Sequence, residues 1–173
     1  TNHHVVEFTI EEGVNAIEDV IIQLETYDVT TIRASVPQYL LAKYIATKTD
    51  IAVIFSGEGS DELNAGYQYS KKAPSARELV RDSKSLLSEL YMFDNLRTDR
   101  TMAKWGLEVR VPFLDKELVN FVLMVNPEWK LCDKVIEKKL FRDAFAETKL
   151  LPDEILYRPK EAFSDAVSSK EVS

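Results

Sequence analysis

The chain has 173 residues, 45% of them hydrophobic, which is enough to bury one sizeable core in a single domain. It carries 22 Lys and Arg against 29 Asp and Glu, a formal charge of -7, so a nonspecific grip on nucleic-acid phosphates is not expected. The single cysteine, Cys132, excludes an internal disulfide and a cysteine-rich zinc site. Neither an apolar stretch of roughly 18 residues nor a signal-peptide pattern is present, so we expect a soluble, cytoplasmic protein that binds neither nucleic acid nor membrane.

The first part of the chain has the pattern of an α/β fold. Residues 5–10 alternate as in a strand, and apolar residues recur at three- and four-residue steps over residues 11–24, as in an amphipathic helix. A second helix is predicted over residues 37–47, because Pro37 suits a first turn. The apolar run at residues 51–55 is typical of an interior parallel strand whose two faces are covered by helices. This order predicts a parallel sheet with flanking helices.

The second half of the chain is predicted to be mainly α-helical. Apolar spacing over residues 75–105 indicates helix with one break near Asp94, and further helices are predicted over residues 115–125 and 135–148, with Asp115 as an N-cap. The small, polar tail at residues 166–173 is expected to fray or to continue into further sequence. We therefore expect an α/β nucleotide-binding part at residues 1–70 and a helical part at residues 71–173.

A glycine-rich loop, S-G-E-G-S-D-E, follows the predicted strand at residues 56–62. In open α/β sheets, ligands bind beyond the carboxyl ends of strands, where Gly57 and Gly59 would let backbone N–H groups approach phosphate oxygens. Asp61 offers the hard oxygen that magnesium on phosphates prefers. The pattern predicts a nucleotide and magnesium site. An ordinary turn, with Ser60 or Asp61 as the N-cap of the next helix, explains the same residues and stays open here.

Four blocks of sequence extend this interpretation to nearly the whole chain. They are residues 24–35 (L-E-T-Y-D-V-T-T-I-R-A-S), the loop with Gly66-Tyr67 after it, residues 106–115 (G-L-E-V-R-V-P-F-L-D) and residues 158–165 (R-P-K-E-A-F-S-D). In this order they resemble the synthetase domain of the glutamine-dependent asparagine synthetases. The resemblance implies a fold like that of the ATP pyrophosphatases, or adenine nucleotide alpha hydrolases. It makes residues 1–173 a partial asparagine synthetase domain.

The resemblance also implies a reaction, which is the ATP-dependent amidation of L-aspartate to L-asparagine through β-aspartyl-AMP. Its cofactors are ATP and Mg²⁺, and its ammonia comes from glutamine through a glutaminase domain of the same full-length chain. A homodimer is compatible with the resemblance. Members of the family also carry an amino-terminal cysteine nucleophile and an S-G-G-x-D-S pyrophosphate loop, and neither occurs in this sequence. We therefore expect a segment of a longer enzyme that is inactive alone, and a natural truncation that has lost the reaction is the alternative.

The resemblance assigns roles to the loop and to the last block. Ser56 and Gly57 contact ATP, and Asp61 holds magnesium on pyrophosphate. Glu58 is a catalytic residue suited to general-base work on the attacking ammonia. Lys160 is catalytic too, since it neutralises charge on the phosphates as the adenylate forms. A solvated loop acid and a surface lysine are the alternative interpretations of these last two residues.

Aspartate binding is assigned by the resemblance to Thr30, Thr31 and Arg33. An arginine can clamp a carboxylate through two parallel hydrogen bonds, and threonine hydroxyls can orient it. The alternative is structural, with Arg33 paired to an acid and the threonines capping a turn. Arg110 and Asp115 are left out of the site, because an internal ion pair and a helix cap explain them equally well.

Two other functions stay open at this point. A β-lactam synthetase shares the adenylation step but closes a ring instead of accepting ammonia, and such enzymes usually lack a glutamate at the position of Glu58. A non-catalytic module that binds a nucleotide or a partner protein is the alternative from a different class.

Overall fold

The computed structural model describes residues 3–131 and 136–166. These residues form ten α-helices and two β-strands. The helices are α1 (Ile10–Asn15), α2 (Ile17–Leu24), α3 (Val29–Lys48), α4 (Ser60–Leu63), α5 (Ala76–Glu89), α6 (Asp94–Ala103), α7 (Lys116–Met124), α8 (Lys139–Ala146), α9 (Asp153–Leu156) and α10 (Phe163–Ala166). The strands are β1 (Val53–Phe55) and β2 (Glu108–Arg110), and short 3-10 helices lie at Gln68–Lys72, Leu90–Met92, Pro112–Leu114 and Pro127–Lys130.

Two compact units divide these elements. The first unit takes its residues from 1–56, 91–110 and 162–173, and the second takes its residues from 57–90 and 111–161. Each unit is therefore assembled from segments that are distant in sequence. The predicted division into residues 1–70 and 71–173 is a division along the sequence, whereas these units are defined by contacts. That division stays a prediction.

The core of the first unit lies between α2 and α3. Val20 and Leu24 of α2 pack against Ile32, Val36 and Tyr39 of α3. On each helix the packed residues recur at three- or four-residue steps, which is the amphipathic pattern predicted for residues 11–24. The expected single helix is divided at Ala16, where α1 ends and α2 begins.

The predicted strand at residues 5–10 is wrong. Residues 3–9 have no regular secondary structure, and Ile10 is the first residue of α1. The reason is a capping box, in which the Thr9 hydroxyl accepts from the backbone N–H of Glu12 and the Glu12 carboxylate accepts from the backbone N–H of Thr9. The cap outweighs a short alternating pattern that finds no partner strand among the described residues.

Helix α3 begins well before its predicted start. Its N-cap is Asp28, whose carboxylate accepts from the backbone N–H of Thr31 at 2.8 Å. Pro37 is therefore inside the helix and not in its first turn, so that prediction is wrong. Proline removes one helical hydrogen bond, but Pro37 is buried in a 20-residue helix packed along its length. Tertiary packing here outweighs the local preference of proline.

Strand β1 is parallel to β2, as predicted, with Val53 opposite Glu108 and Phe55 opposite Arg110. The predicted interior position is wrong within the described residues, because Val53 is 45% exposed and Phe55 79% exposed. Alternate side chains of a strand face opposite sides. Ile54 packs with the buried cluster of Ala42, Met102 and Leu107, whereas Val53 and Phe55 on the opposite face remain exposed among the described residues.

Most helical predictions in the second half of the chain are confirmed. Residues 75–105 form α5 and α6 with a break before Asp94, and the Asp115 carboxylate caps α7 by accepting from the backbone N–H groups of Glu117 and Leu118. Helix α8 begins at Lys139, later than predicted. Cys132, Val135 and most of the predicted tail lie outside the described residues. In the part of the chain that the structure describes, no helix is long and apolar enough to cross a membrane.

Candidate functional site

The glycine-rich loop begins where β1 ends. The backbone N–H of Ser56 donates to the carbonyl of Arg110 at 2.9 Å, which places Ser56 directly after the paired strand, as predicted. A side chain built on Gly57 would meet no atom within 4 Å. The backbone at Gly57 is therefore open to a ligand.

Gly59 is required for its backbone conformation and its packing, not for access to a ligand. Its φ of +84° lies in the left-handed region, and a Cβ there would lie 2.6 Å from Leu114 Cγ. The glycine is thus required by the turn and by packing. It is also the N-cap of α4, which has no side-chain cap hydrogen bond. The alternative in which Ser60 or Asp61 is the N-cap is therefore wrong, and the Asp61 carboxylate has other partners.

Asp61 meets two lysines that are distant in sequence. Lys160 Nζ lies 2.9 Å from Asp61 Oδ2, and Lys138 Nζ lies 3.0 Å from Asp61 Oδ1. Lys138 Nζ also donates to Ser60 Oγ at 3.0 Å. We call these four residues, Ser60, Asp61, Lys138 and Lys160, the Asp61 cluster. All of them belong to the second unit.

The cluster is mostly withdrawn from solvent. The side chains of Asp61, Lys138 and Lys160 are 21%, 20% and 23% exposed. Burial by itself raises the pKa of Asp61, but the two ammonium groups outweigh it and hold the pKa below its ordinary value. The carboxylate is therefore charged, and the cluster holds one more positive charge than negative.

Gly66 makes the close approach to Asp61 possible. Its backbone N–H donates to the Asp61 carbonyl at 2.8 Å. A Cβ on Gly66 would overlap Asp61 Oδ1 and would lie 2.5 Å from Lys138 Cε. Any larger residue would therefore push Asp61 and Lys138 apart, which is a steric reason for the glycine at position 66 in the second block.

A buried network fixes the backbone of both lysines. The Glu137 side chain is 2% exposed and forms an ion pair with Lys71. The Arg142 guanidinium donates to three backbone carbonyls: Glu137 at 2.7 Å, Arg158 at 2.9 Å and Leu156. These contacts tie the segment that carries Lys138 to the segment that carries Lys160.

Glu58, Asp61 and Lys160 are predicted from the sequence to converge on one cleft, because all three must address the same acyl-phosphate. Asp61 and Lys160 are in contact. Glu58 is half-buried in the same loop, between Gly57 and Gly59. Its role as a general base stays a prediction.

The residues expected to bind aspartate lie in the first unit, on the first two turns of α3. Thr31 is buried, and its backbone N–H and hydroxyl bond to the carboxylate of Asp28, the N-cap of α3, so Thr31 is the residue that is capped and not the cap itself. Thr30 is exposed. Arg33 lies 3.2 Å from Asp165 in an exposed ion pair that links the first and last blocks. Aspartate binding by these residues stays a prediction.

Lys138 is the residue of the cluster that sequence reasoning missed. It lies in Glu137-Lys138-Lys139, a charged run that is typical of a solvated helix face. Its sequence neighbour Glu137 is buried in the structure, but a single acid in the sequence does not predict burial. The contact with Asp61 depends on tertiary structure.

Comparisons with known proteins agree with the four blocks. The family model for asparagine synthase matches residues 1–89 and 73–173. A probable glutamine-hydrolysing asparagine synthetase of Acanthamoeba polyphaga mimivirus is 57% identical over 99% of this chain, and the glutamine-hydrolysing asparagine synthetases of Gallus gallus and Homo sapiens are 56% and 54% identical over 98% of it. The chain spans 31%, 30% and 30% of the length of these relatives.

Proposed function

Because this chain belongs to the asparagine synthase family, as the four blocks predicted, we propose that it forms part of the site at which L-aspartate is adenylated and then aminated to L-asparagine. The observation that carries the proposal is the contact of Asp61 with Lys160. It brings the acid of the glycine-rich loop and the lysine of the R-P-K-E block to one place. The fold proposed for the complete domain is that of the ATP pyrophosphatases.

The proposed reaction has two steps. A side-chain oxygen of aspartate attacks the α-phosphorus of ATP, the bond to the β-phosphate oxygen breaks, and pyrophosphate leaves. Ammonia then attacks the β-carbonyl carbon of β-aspartyl-AMP, and AMP leaves with the aspartate oxygen. The activation is necessary because a free carboxylate is a poor electrophile.

The residues of the second unit supply charge and a base. Lys160 stabilises the negative charge that develops on the phosphate oxygens, and a preorganised charge works well in a site with little water. Glu58 takes a proton from the attacking nitrogen as that nitrogen becomes positive. Gly57 leaves its backbone open for ATP.

The residues of the first unit would bind substrates. The backbone and hydroxyl of Ser56 contact ATP at the end of β1. Arg33 binds an aspartate carboxylate in place of its present partner, Asp165, and Thr30 and Thr31 orient the substrate. Thr31 can do so only if its hydroxyl is shared with Asp28.

Magnesium is part of the proposal, and Asp61 would be its ligand from this chain. Within the described residues no group of three or more His, Cys, Asp or Glu could hold a metal ion, but magnesium on ATP needs only one or two carboxylates. Asp61 fits, since it is charged and its buried Oδ1 has, within the described part of the chain, no hydrogen-bond donor beyond the ion pair with Lys138. When bound, the ion would neutralise phosphate charge.

The proposed partners are L-aspartate, ammonia from glutamine, and a glutaminase domain of the same full-length protein. A cytoplasmic location and a homodimer belong to the same proposal. Sedimentation of the complete protein tests the homodimer.

Oxygen tracing tests the proposed reaction. The complete protein that carries this chain is given ATP, Mg²⁺, ammonia and L-aspartate labelled with ¹⁸O in its side-chain carboxylate. We expect one ¹⁸O atom in AMP and one in asparagine, measured by mass spectrometry. ADP and unlabelled phosphate would contradict adenylation. A cyclised product from a substituted substrate would instead indicate a β-lactam synthetase, and no turnover would indicate a non-catalytic module.

A further inference from the structure

The Asp61 carboxylate is shared between two ammonium groups, one on each oxygen. Lys160 lies on Oδ2 and Lys138 on Oδ1, at 2.9 and 3.0 Å. A carboxylate held at both oxygens cannot rotate without losing one contact. Lys138 therefore fixes the orientation of the oxygen that meets Lys160.

Lys138 also joins Asp61 to the residue before it. Its ammonium donates to Ser60 Oγ at 3.0 Å, and Ser60 is the buried first residue of α4. One side chain thus contacts two successive residues of the glycine-rich loop. The contact sets the position of the loop as well as the rotation of the carboxylate.

The backbone at Lys138 is unusual, which argues for a specific purpose. Its φ is +57°, in the left-handed region that non-glycine residues seldom adopt. Glu137 and Arg142 hold this backbone through the buried network described above. The absence of a side chain at Gly66 leaves room for Lys138 Cε. Three independent features therefore bring this lysine to Asp61.

We propose that Lys138 is a positioning residue of the same reaction, which acts through Asp61 and Ser60 and fixes the place of Lys160. The inference rests on the proposed function. Lys138 differs in this respect from Lys160, which is assigned to the phosphates themselves. Its loss lowers the rate of adenylation without abolishing ATP binding.

The test uses the complete protein and follows aspartate-dependent exchange of labelled pyrophosphate into ATP, with ATP affinity measured by calorimetry. We expect Lys138→Met to lower kcat roughly 10- to 100-fold, as the loss of an orienting partner typically does, with a smaller change in KM for ATP. Lys138→Arg should recover much of the rate, because a guanidinium can still bridge Asp61 and Ser60. The matched control is Lys139→Met. Lys139 pairs with Asp143 on α8, so its replacement should leave the rate unchanged.

A double variant separates positioning from direct contact with phosphate. If Lys138 acts through Asp61, adding Lys138→Met to Asp61→Asn should lower the rate by less than about 3-fold, because coupled groups are not additive. A further loss of more than about 3-fold would overturn the inference, because the two groups would then act independently. A wild-type rate for Lys138→Met, in a protein that makes asparagine, would overturn it while the proposed function stands. A wild-type protein that makes no asparagine would overturn both.

Discussion

Three glycines around the site are each required for a different physical reason. Gly57 faces open space, Gly59 adopts a left-handed turn against Leu114, and Gly66 lies against Asp61 and Lys138. The same residue type therefore serves ligand access, backbone conformation and close packing at three positions. Only the last of these controls the geometry of the Asp61 cluster.

Gly66→Ala tests that steric argument. The new Cβ would overlap Asp61, so we expect a loss of stability of about 1–3 kcal/mol, typical of overpacking, together with slower adenylation. Gly57→Ala is the matched control, and its free energy of unfolding should change by less than about 0.5 kcal/mol. Chemical denaturation of the complete protein measures both. Equal stability of the two variants would show that the space beside Gly66 adapts.

Part of the cluster could be predicted from sequence, and part could not. Asp61 and Lys160 were identified because each lies in a block that resembles the family. Lys138 lies in no such block, and its sequence neighbours Glu137 and Lys139 are charged, which is typical of a solvated surface. Its role depends on the left-handed backbone at Lys138 and on the space beside Gly66, which no local pattern contains. Substrate binding by Thr31 stays a prediction, and its observed bond to Asp28 belongs to the cap of α3.

At the scale of elements, α3 carries the residues expected to bind aspartate and depends on its cap. The Asp28 carboxylate accepts from the backbone N–H and the hydroxyl of Thr31, and these bonds hold the pKa of Asp28 below its ordinary value. A carboxyl whose folded pKa is lowered stabilises the fold above its unfolded pKa and loses that contribution as pH falls through the folded value. The Asp28 cap therefore stabilises α3 at neutral pH and loses this effect in acid.

Asp28→Ala should destabilise the first turn of α3 by about 1 kcal/mol near neutral pH, the usual cost of a lost N-cap. Amide hydrogen exchange at residues 29–36 measures this change, with Asp50→Ala as an exposed control. The difference from wild type should shrink below a pH of about 4, where the unfolded carboxyl is protonated. A difference that stays constant down to lower pH would contradict the capping argument.

Helix and strand boundaries show why the sequence pattern was only partly sufficient. The start of α3 was placed at Pro37 because proline favours a first turn, but Asp28 caps the helix earlier and Pro37 is buried inside it. The apolar run at residues 51–55 correctly indicated a parallel strand, since β1 pairs with β2. It could not show that, in the described residues, only the face with Ile54 is covered. Local patterns identify an element more reliably than they identify what covers it.

At the scale of the whole molecule, β1 has an exposed face, and the chain spans 31% of the length of the mimivirus relative. Both observations predict that residues 1–173 are inactive and poorly behaved when expressed alone. Residues 1–173 expressed alone should make no asparagine from ATP, Mg²⁺, aspartate and ammonia. They should also self-associate, because among the described residues the outer edge of β1 has no partner strand and Val53 and Phe55 are exposed. Light scattering and product analysis check both. Phe55→Thr should reduce association, and turnover by the isolated chain would contradict the prediction.

The proposed role of Lys160 in the phosphate chemistry of aspartate activation is tested by the variant Lys160→Ala. In the complete protein, Lys160→Ala should slow aspartate-dependent pyrophosphate release roughly 100- to 1,000-fold, about 3 to 4 kcal/mol, which is typical of a lost preorganised charge contact. Free ammonia should not rescue it, and glutamine hydrolysis should persist, while Lys72→Ala, an exposed control, should behave as wild type. Normal synthesis with free ammonia would contradict the account, because Lys160 would then act in ammonia delivery or in domain contact.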